Sequence, residues 1–217
     1  MLNYTPVEIM KLVQMPFKNL IALAFATVIL TGCYLPASFD AELELSRNGL
    51  YKISFDGYIV DLNIYRQLSS KKLKVGSKEL KEKTDRIVAD FKRVSSTQSA
   101  SYYQQGAFKV KWVKGGDIIK TRQAMFYRRN ENMFSVTYDK KKAIITLKGK
   151  YIKKQDAERL EQMGLSLQGV VKIKTDAKVI KHNAHKTWTE GLVKYYGWKL
   201  ESLRDKPPLV IVSLGLL

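Results

Sequence analysis

The feature that most constrains this chain is an apolar run near its N-terminus, separated by two residues from the only cysteine among 217 residues. The run covers eleven residues, Leu20 to Leu30, and Lys18 precedes it. At 1.5 Å per residue, such a helix spans about half of a bilayer core of roughly 30 Å. This length and the basic flank are typical of an export signal, so we expect the folded part to begin after the run.

The run ends in Leu30-Thr31-Gly32-Cys33, and this tetrad resembles the lipobox of bacterial lipoproteins. In that family a diacylglycerol is attached to the cysteine through a thioether, and signal peptidase II cuts just before it. The resemblance implies that Leu30, Thr31 and Gly32 are the recognition residues of the peptidase. It also implies that Cys33 is the lipidated first residue of the mature protein.

Residues 1–32 are therefore predicted to be a removed signal peptide. Its first 17 residues form a long n-region that contains Glu8. A start at Met15 would give a shorter and more basic n-region, so translation from Met1 and from Met15 both remain open.

The lipid on Cys33 predicts the localisation, a cell membrane. Burial contributes about 0.8 kcal/mol per methylene, so two or three acyl chains hold a protein permanently. In the resembling family an Asp after the cysteine commonly signals retention in the inner membrane. Tyr34 stands there in this chain, which favours an outer membrane facing the periplasm in a host with two membranes.

Basic residues exceed acidic residues by 18 over the whole chain. Removal of residues 1–32 takes away Lys11, Lys18 and Glu8, which leaves a net charge of +17. In the cytoplasm this excess would point to nucleic acid, whose phosphates attract Lys and Arg. Export excludes that partner and favours anionic lipid, lipopolysaccharide or peptidoglycan. The alternative explanation is a solvated basic surface without a ligand.

Metal and cofactor sites are not expected. Beyond Cys33 the chain has no thiol, so neither a disulfide nor a cysteine metal site can form in the mature part. His182 and His185 have a spacing that suits two metal ligands on one helical face. Lys181 and Lys186 flank them, and their charge opposes a cation. We therefore expect an exposed loop at this histidine pair.

Catalytic residues are also not expected, and the chain is predicted not to be an enzyme. Ser69 and Lys72 have the S-x-x-K spacing, but they lie in a run of lysines instead of a recognisable hydrolase motif. Glu42 and Glu44 would share one side of a strand. Their alternation with apolar residues predicts a solvated face instead of a pair of catalytic acids.

The mature chain is predicted to open with a β-hairpin. Polar and apolar residues alternate over 40–45 and over 50–60, which is the period of half-buried strands. Asn48-Gly49 between them tolerates the positive φ angles of a tight turn. Residues 33–39 are predicted to be a lipidated tether, and residues 40–217 a single β-rich domain.

Further elements follow from the same patterns. A helix is predicted over 77–94, where Leu80, Thr84 and Phe91 share one face, and an exposed loop over the polar residues 95–106. The later predicted elements are a strand at 108–112 before a turn at Gly115-Gly116, a hairpin of 133–138 and 143–147, a helix over 154–163, and strands at 169–175, 192–200 and 209–214.

These elements predict a single α+β domain, rich in antiparallel strands, with a partly open barrel or curved sheet and one or two packed helices. Short motifs near both ends of the mature chain add to this: Gly57 to Asp61, Gly169-Val170-Val171, His182-Asn183-Ala184 and Trp198-Lys199-Leu200. With the cysteine before the first hairpin, they resemble the LppM-like lipoprotein domain family. The resemblance implies a partly open barrel accompanied by helices, and an envelope-facing binding or accessory role.

Clusters of basic residues are the best candidates for binding. If the fold brings them together they form a docking patch for an anionic polymer or a membrane, and if they scatter they solvate the surface. The residues are Lys71, Lys72, Lys74, Lys109, Lys111, Arg128, Arg129, Lys140, Lys141 and Lys142.

The predicted function is that of a non-enzymatic envelope lipoprotein. Its basic domain would dock on an anionic envelope polymer or on a membrane-protein partner. The alternative is a carrier of a lipid or another apolar ligand in a β-barrel-like cavity, which a contiguous apolar pocket would support.

Overall fold

A long antiparallel hairpin opens the part of the chain that the computed structural model describes, residues 34–128 and 131–214. Strands β1 (Tyr34–Leu45) and β2 (Leu50–Asp61) pair along their full length. Gly49 has a φ of +85° in the turn between them, a conformation that favours glycine. The predicted hairpin is confirmed, whereas the lipobox, Cys33 and Arg129 lie outside the described residues.

The segment 34–39, predicted as a tether, is instead the first half of β1. Tyr34 lies opposite Asp61 in the sheet. Leu35 and Phe39 are both 5% exposed, so burial of these apolar side chains holds the segment against the domain. A β-bulge interrupts the register between Pro36 and Phe39.

Two helices follow the hairpin. Helix α1 (Leu62–Ser69) had no counterpart among the predicted elements. Helix α2 (Lys78–Lys92) confirms the predicted helix, and the hydroxyl of Ser77 caps it by accepting the backbone N–H of Leu80 at 3.2 Å.

The predicted loop over 95–106 is wrong, because strand β3 (Thr97–Gln104) lies there. The segment is polar because β3 is an edge strand in which only Ala100 is buried. Strand β4 (Ala107–Asp117) confirms the next predicted strand. The predicted turn at Gly115-Gly116 is also wrong, since both glycines continue β4 and pair with β2.

A short helix, α3 (Ile118–Thr121), leads into three antiparallel strands. They are β5 (Gln123–Arg128), β6 (Glu131–Asp139) and β7 (Ile144–Gly149). The hairpin of β6 and β7 confirms the prediction, and β5 was not predicted.

The last third of the chain contains one helix and five strands. They are α4 (Lys154–Gln162), β8 (Gln168–Thr175), β9 (Lys178–His182), β10 (Lys186–Glu190), β11 (Val193–Leu200) and β12 (Leu209–Ser213). Helix α4 and strands β8, β11 and β12 were predicted. The short strands β9 and β10 were not.

In the described part of the chain, the twelve strands form two sheets and neither closes into a barrel. The first sheet has the order β10-β11-β8-β1-β2-β4-β3, and the second has the order β5-β6-β7-β12-β9. Strands β1 and β8 are parallel, and the other neighbours are antiparallel. The predicted class, α+β with curved antiparallel-rich sheets, is confirmed.

Aromatic side chains join the two sheets. The Phe55 and Phe126 rings stack with centroids 4.4 Å apart, and Trp112 meets Phe126 edge-on at 4.8 Å. Helix α2 adds Phe91, whose ring lies 5.5 Å from that of Tyr34 and 5.9 Å from that of Phe108. The core is therefore continuous from both sheets to the start of β1.

The direction of β1 defines two ends of the fold. At the Tyr34 end, β1 begins beside the last residue of β2, Asp61. At the Leu45 end lie the turn from β1 to β2 and, through the pairing of Leu50 with Asp117, the start of α3. Twelve strand residues at about 3.3 Å each place the two ends roughly 40 Å apart.

Candidate functional site

The loop of residues 70–76, called here the basic loop, lies at the Tyr34 end. Asp61 pairs with Tyr34 and is followed directly by α1, which ends at Ser69. Eight helical residues rise about 12 Å, so the loop begins within roughly 15 Å of Asp61. Cys33 is the residue before Tyr34 in the sequence. The basic loop is therefore close to the point where the predicted lipid anchor joins the described chain.

A contact to α1 holds the basic loop in place, and α1 is in turn bonded to α2. Leu73 is 3% exposed, and its backbone N–H donates to the carbonyl of Gln67 at 3.0 Å. The side-chain oxygen of Gln67 accepts from Lys83 Nζ of α2 at 2.7 Å. The loop is thus pinned at its centre by one buried leucine, while the residues on both sides of it face solvent.

The lysines of the basic loop differ from those of the neighbouring helix. In α2, Lys78, Lys81 and Lys83 each form an ion pair with an acidic residue on the same helix. Lys71, Lys72 and Lys74 are exposed and form no ion pair with any residue that the structure describes. Residues 70–77 include no acid. The ammonium groups of these three lysines are therefore available to an external anion.

The basic loop also exposes an apolar side chain. Val75 is 86% exposed, next to Lys74 in the sequence. Cations beside an exposed apolar residue match the two layers of a membrane interface, where headgroups attract cations and the acyl boundary accepts apolar side chains.

Lys109 and Lys111 lie on the outward face of β4, away from the basic loop in sequence and on another element. Lys109 Nζ is 2.7 Å from Asp56 Oδ1 and 5.0 Å from the centre of the Tyr58 ring. Lys111 lies opposite Asp56 in the register of β2 and β4. The predicted cation Lys109 is therefore largely neutralised within the sheet. Arg128 is the last residue of β5.

Lys140, Lys141 and Lys142 form the turn between β6 and β7 at the Leu45 end. The backbone N–H of Tyr138 donates to the carbonyl of Arg122 at 2.9 Å, which ties β6 to the end of α3. The fold therefore places this cluster at one end of β1, whereas the helix that leads to the basic loop starts at the other end. The predicted basic residues do not form one patch.

The outward face of the seven-stranded sheet carries a ladder of opposite charges. Glu42 Oε2 lies 2.9 Å from Lys172 Nζ, and Glu44 Oε1 lies 3.1 Å from Lys174 Nζ. The hydrogen bond to Glu44 raises the pKa of Lys174. Glu42 and Glu44 share one face, as predicted, and their lysine partners make them part of a charged outer surface.

A groove of about 410 Å³ lies beside the bulge in β1 on this same face, and the sequence interpretation missed it. Asp40 and Asp56 lie opposite each other across β1 and β2, and Lys109 pairs with Asp56. Pro36 beside the bulge was the only local signal, because proline in a strand marks an edge or an irregularity. The groove combines both signs of charge and is open to solvent.

The two histidines are exposed, and each uses Nδ1 to accept a backbone hydrogen bond. His182, at the end of β9, accepts from Ala184 at 3.2 Å, and His185 accepts from Lys199 at 3.3 Å. Within residues 34–128 and 131–214, no group of three metal-binding side chains is present. His185 lies between strands, as predicted, whereas His182 belongs to a strand.

A small void lies between the two sheets in the described part of the chain. A void lined by Ala41, Phe126, Val171 and neighbouring apolar residues has a volume of about 20 Å³. A cavity of about 10–15 Å³ holds a single water, so this void has room for roughly one water and is too small for an acyl chain. Among the described residues, no helix has both the length and the apolar character needed to cross a bilayer.

Comparison with known proteins gives matches among solved structures alone. No family model and no curated protein matches the sequence. Among solved structures, the chain is similar to the folded domain of LppM from Mycobacterium tuberculosis, with 10% identity and a TM-score of 0.42, over 84% of this chain and 90% of that one. It is also similar to an M1 zinc metallopeptidase from Deinococcus radiodurans, with 9% identity and a TM-score of 0.34, over 82% of this chain and 42% of that one.

Proposed function

We propose that this chain is a membrane-anchored cell-envelope lipoprotein with a non-enzymatic binding role. A lipid on Cys33 holds it to the membrane, in a two-membrane host the outer membrane, and the domain faces the periplasm. The basic loop then docks on the anionic surface around the anchor. The observation that carries this proposal is the place of Lys71, Lys72 and Lys74, exposed and without ion-pair partners in the described chain, at the Tyr34 end.

The expected energies support an orienting contact. A lysine near an anionic membrane surface contributes about 1 kcal/mol, so three contribute about 3 kcal/mol. The anchor makes this contact intramolecular, which raises its effective concentration to the millimolar range. A contact too weak to recruit a soluble protein is therefore strong enough to orient an anchored one.

The anchor is tested by the intact mass of the protein from the membrane fraction, wild type against Cys33→Ser. We expect a mature chain that begins at Cys33 and carries two or three acyl chains, and its loss in the variant. A full-length, unlipidated chain in the wild type would refute the anchor and would reopen a nucleic-acid role for the basic charge.

The docking of the basic loop is tested separately with a thiol probe. Cys33 is the only cysteine, so in the lipidated protein a Val75→Cys variant has one free thiol, which takes an environment-sensitive dye. We expect a blue shift in vesicles with about a third of anionic lipid, at low salt, and no shift in neutral vesicles.

Matched lysine variants identify the source of the shift. Lys71→Ser/Lys72→Ser/Lys74→Ser should remove it. Lys148→Ser/Lys181→Ser/Lys206→Ser removes the same charge at three exposed positions elsewhere and should leave it unchanged. An equal loss of the blue shift in both triple variants would mean that the net charge of the domain, and not a specific contact of the basic loop, brings it to the vesicle.

A further inference from the structure

The Leu45 end carries a second combination of free cations and exposed apolar side chains. Lys140, Lys141 and Lys142 are exposed in the turn between β6 and β7 and form no ion pair among the described residues. Asp139, the acid beside them, is directed at the backbone, since its Oδ1 accepts the N–H groups of Lys141 at 2.9 Å and Lys142 at 3.2 Å. The ammonium groups of these three lysines are therefore exposed to solvent.

Three apolar side chains are exposed at the same end. Leu50 is 53% exposed at the start of β2, and Ile119 is 36% exposed on α3. Leu192 is 89% exposed in the turn between β10 and β11, next to the β11 residues that pair with the end of β8. Contact of these apolar side chains with water is unfavourable, and their burial at a membrane interface would remove this free-energy cost.

Backbone contacts make this end one continuous structure. The N–H of Ile118 donates to the carbonyl of Gly49 at 2.9 Å, which docks α3 on the turn of the first hairpin. Arg122 joins α3 to β6, with its guanidinium 5.3 Å from the Tyr138 ring centre. The turns that present Leu50 and the three lysines are therefore joined through α3, and the turn with Leu192 is joined to the same end through the pairing of β11 with β8 and of β8 with β1.

We propose that this surface, called here the distal surface and made of Leu50, Ile119, Lys140, Lys141, Lys142 and Leu192, docks on a second anionic bilayer. It lies at the opposite end of β1 from Tyr34, whereas α1, the helix that leads to the basic loop, starts directly after Asp61, the residue opposite Tyr34. A domain held through Cys33 therefore bridges two bilayers across the length of its β1 strand. The bridging rests on the proposed anchor, whereas binding of the distal surface to a bilayer does not.

A capture assay tests the bridge with the full lipidated chain. The protein is reconstituted into neutral donor vesicles, its amount on floated donors is measured, and fluorescent acceptor vesicles with about a third of anionic lipid are added. We expect capture of anionic acceptors and no capture of neutral ones. Capture should fall steeply between 0.1 M and 0.5 M salt, because screening shortens the reach of the lysines.

Two distal variants identify the surface. Loss of three lysines near an anionic surface is expected to lower affinity about a hundredfold, so Lys140→Ser/Lys141→Ser/Lys142→Ser should abolish capture. Leu50→Ser/Leu192→Ser should lower it at least fivefold. The control Lys148→Ser/Lys181→Ser/Lys206→Ser removes the same charge at three exposed positions elsewhere and should capture acceptors as the wild type does.

Each other outcome is decisive. Donors that carry protein but capture nothing would overturn the bridge. Capture that depends on the lysines but not on Leu50 and Leu192 would overturn a bilayer as the partner and indicate an anionic polymer. If the donors hold no protein, the anchor has failed instead. Flotation of the unanchored chain with anionic vesicles, wild type against the distal variants, then decides whether the distal surface binds a bilayer.

Discussion

The side chain of Asp61 accepts a hydrogen bond from the backbone N–H of Ile64 at 2.8 Å, and a second from Asn63 at 2.9 Å, which caps α1. Asp61 also lies opposite Tyr34 in the sheet. One residue therefore links the start of the described chain, through strand pairing, to the helix that leads to the basic loop, through its carboxylate cap. Asp61 is 6% exposed, and its burial raises its pKa above the ordinary 3.8, although the two backbone hydrogen bonds lower it.

This pKa predicts a pH dependence of stability. As pH rises above 3.8, the unfolded chain loses the Asp61 proton before the folded protein does, so this residue's contribution to stability falls with pH. Asp61→Asn keeps a capping oxygen without the titration. Urea unfolding of both proteins should show that the wild type loses stability relative to the variant as pH rises from 3.8 to above the raised pKa of Asp61. A difference in the free energy of unfolding that stays constant over this pH range would contradict the raised pKa.

The cap itself is tested by Asp61→Ala. An alanine leaves the N–H groups of Asn63 and Ile64 without their acceptor, which should cost about 1 kcal/mol of the free energy of unfolding relative to Asp61→Asn. Equal stability of the two variants would show that the cap contributes nothing measurable.

The bulge in β1 predicts that Gly57 tolerates no side chain. A Cβ at this position would lie 2.3 Å from Phe39 Cβ and 2.6 Å from the carbonyl oxygen of Ser38. Gly57→Ala should therefore lower the free energy of unfolding by about 1–3 kcal/mol. Gly197→Ala is the matched control, because its Cβ would meet first the edge of the Trp188 ring, at 3.3 Å. Equal effects of the two substitutions in urea titrations would argue against the clash.

The small interior void predicts that the folded domain takes up no fatty acid between its sheets. With about 20 Å³ available, the space lined by Ala41 and Phe126 does not admit an acyl chain. A fluorescent fatty acid titrated into the protein, below its micelle concentration and without vesicles, should show no saturable binding. Stoichiometric binding that Ala41→Phe abolishes would instead support a carrier of apolar ligands.

The charge ladder predicts little stabilisation from any single ion pair. Glu42 lies 2.9 Å from Lys172, but the two side chains are 29% and 40% exposed, respectively. Glu42→Gln should change the free energy of unfolding by less than about 1 kcal/mol, and 1 M salt should shrink the difference further. A loss above 2 kcal/mol that persists in salt would show that the ladder acts as a buried network.

Local patterns predicted much of the secondary structure. The alternation around Leu43 and Ile53 and the Asn48-Gly49 turn predicted the first hairpin, because the period of a strand and the backbone freedom of glycine are local properties. The cap at Ser77 likewise marked the start of α2. Strand β3 escaped prediction because an edge strand with one buried side chain, Ala100, has no apolar period to detect.

The sequence by itself also determined the net positive charge and the single cysteine, and the lipid anchor is predicted from that cysteine. Only the tertiary structure decided where the charges lie. It placed Lys71 and Lys140 at opposite ends, neutralised Lys109 with Asp56, and paired β1 in parallel with β8 across more than a hundred residues. The physical reason is that strand partners are chosen by the packing of apolar side chains distant in sequence, and a surface lysine takes whatever position that packing gives its loop.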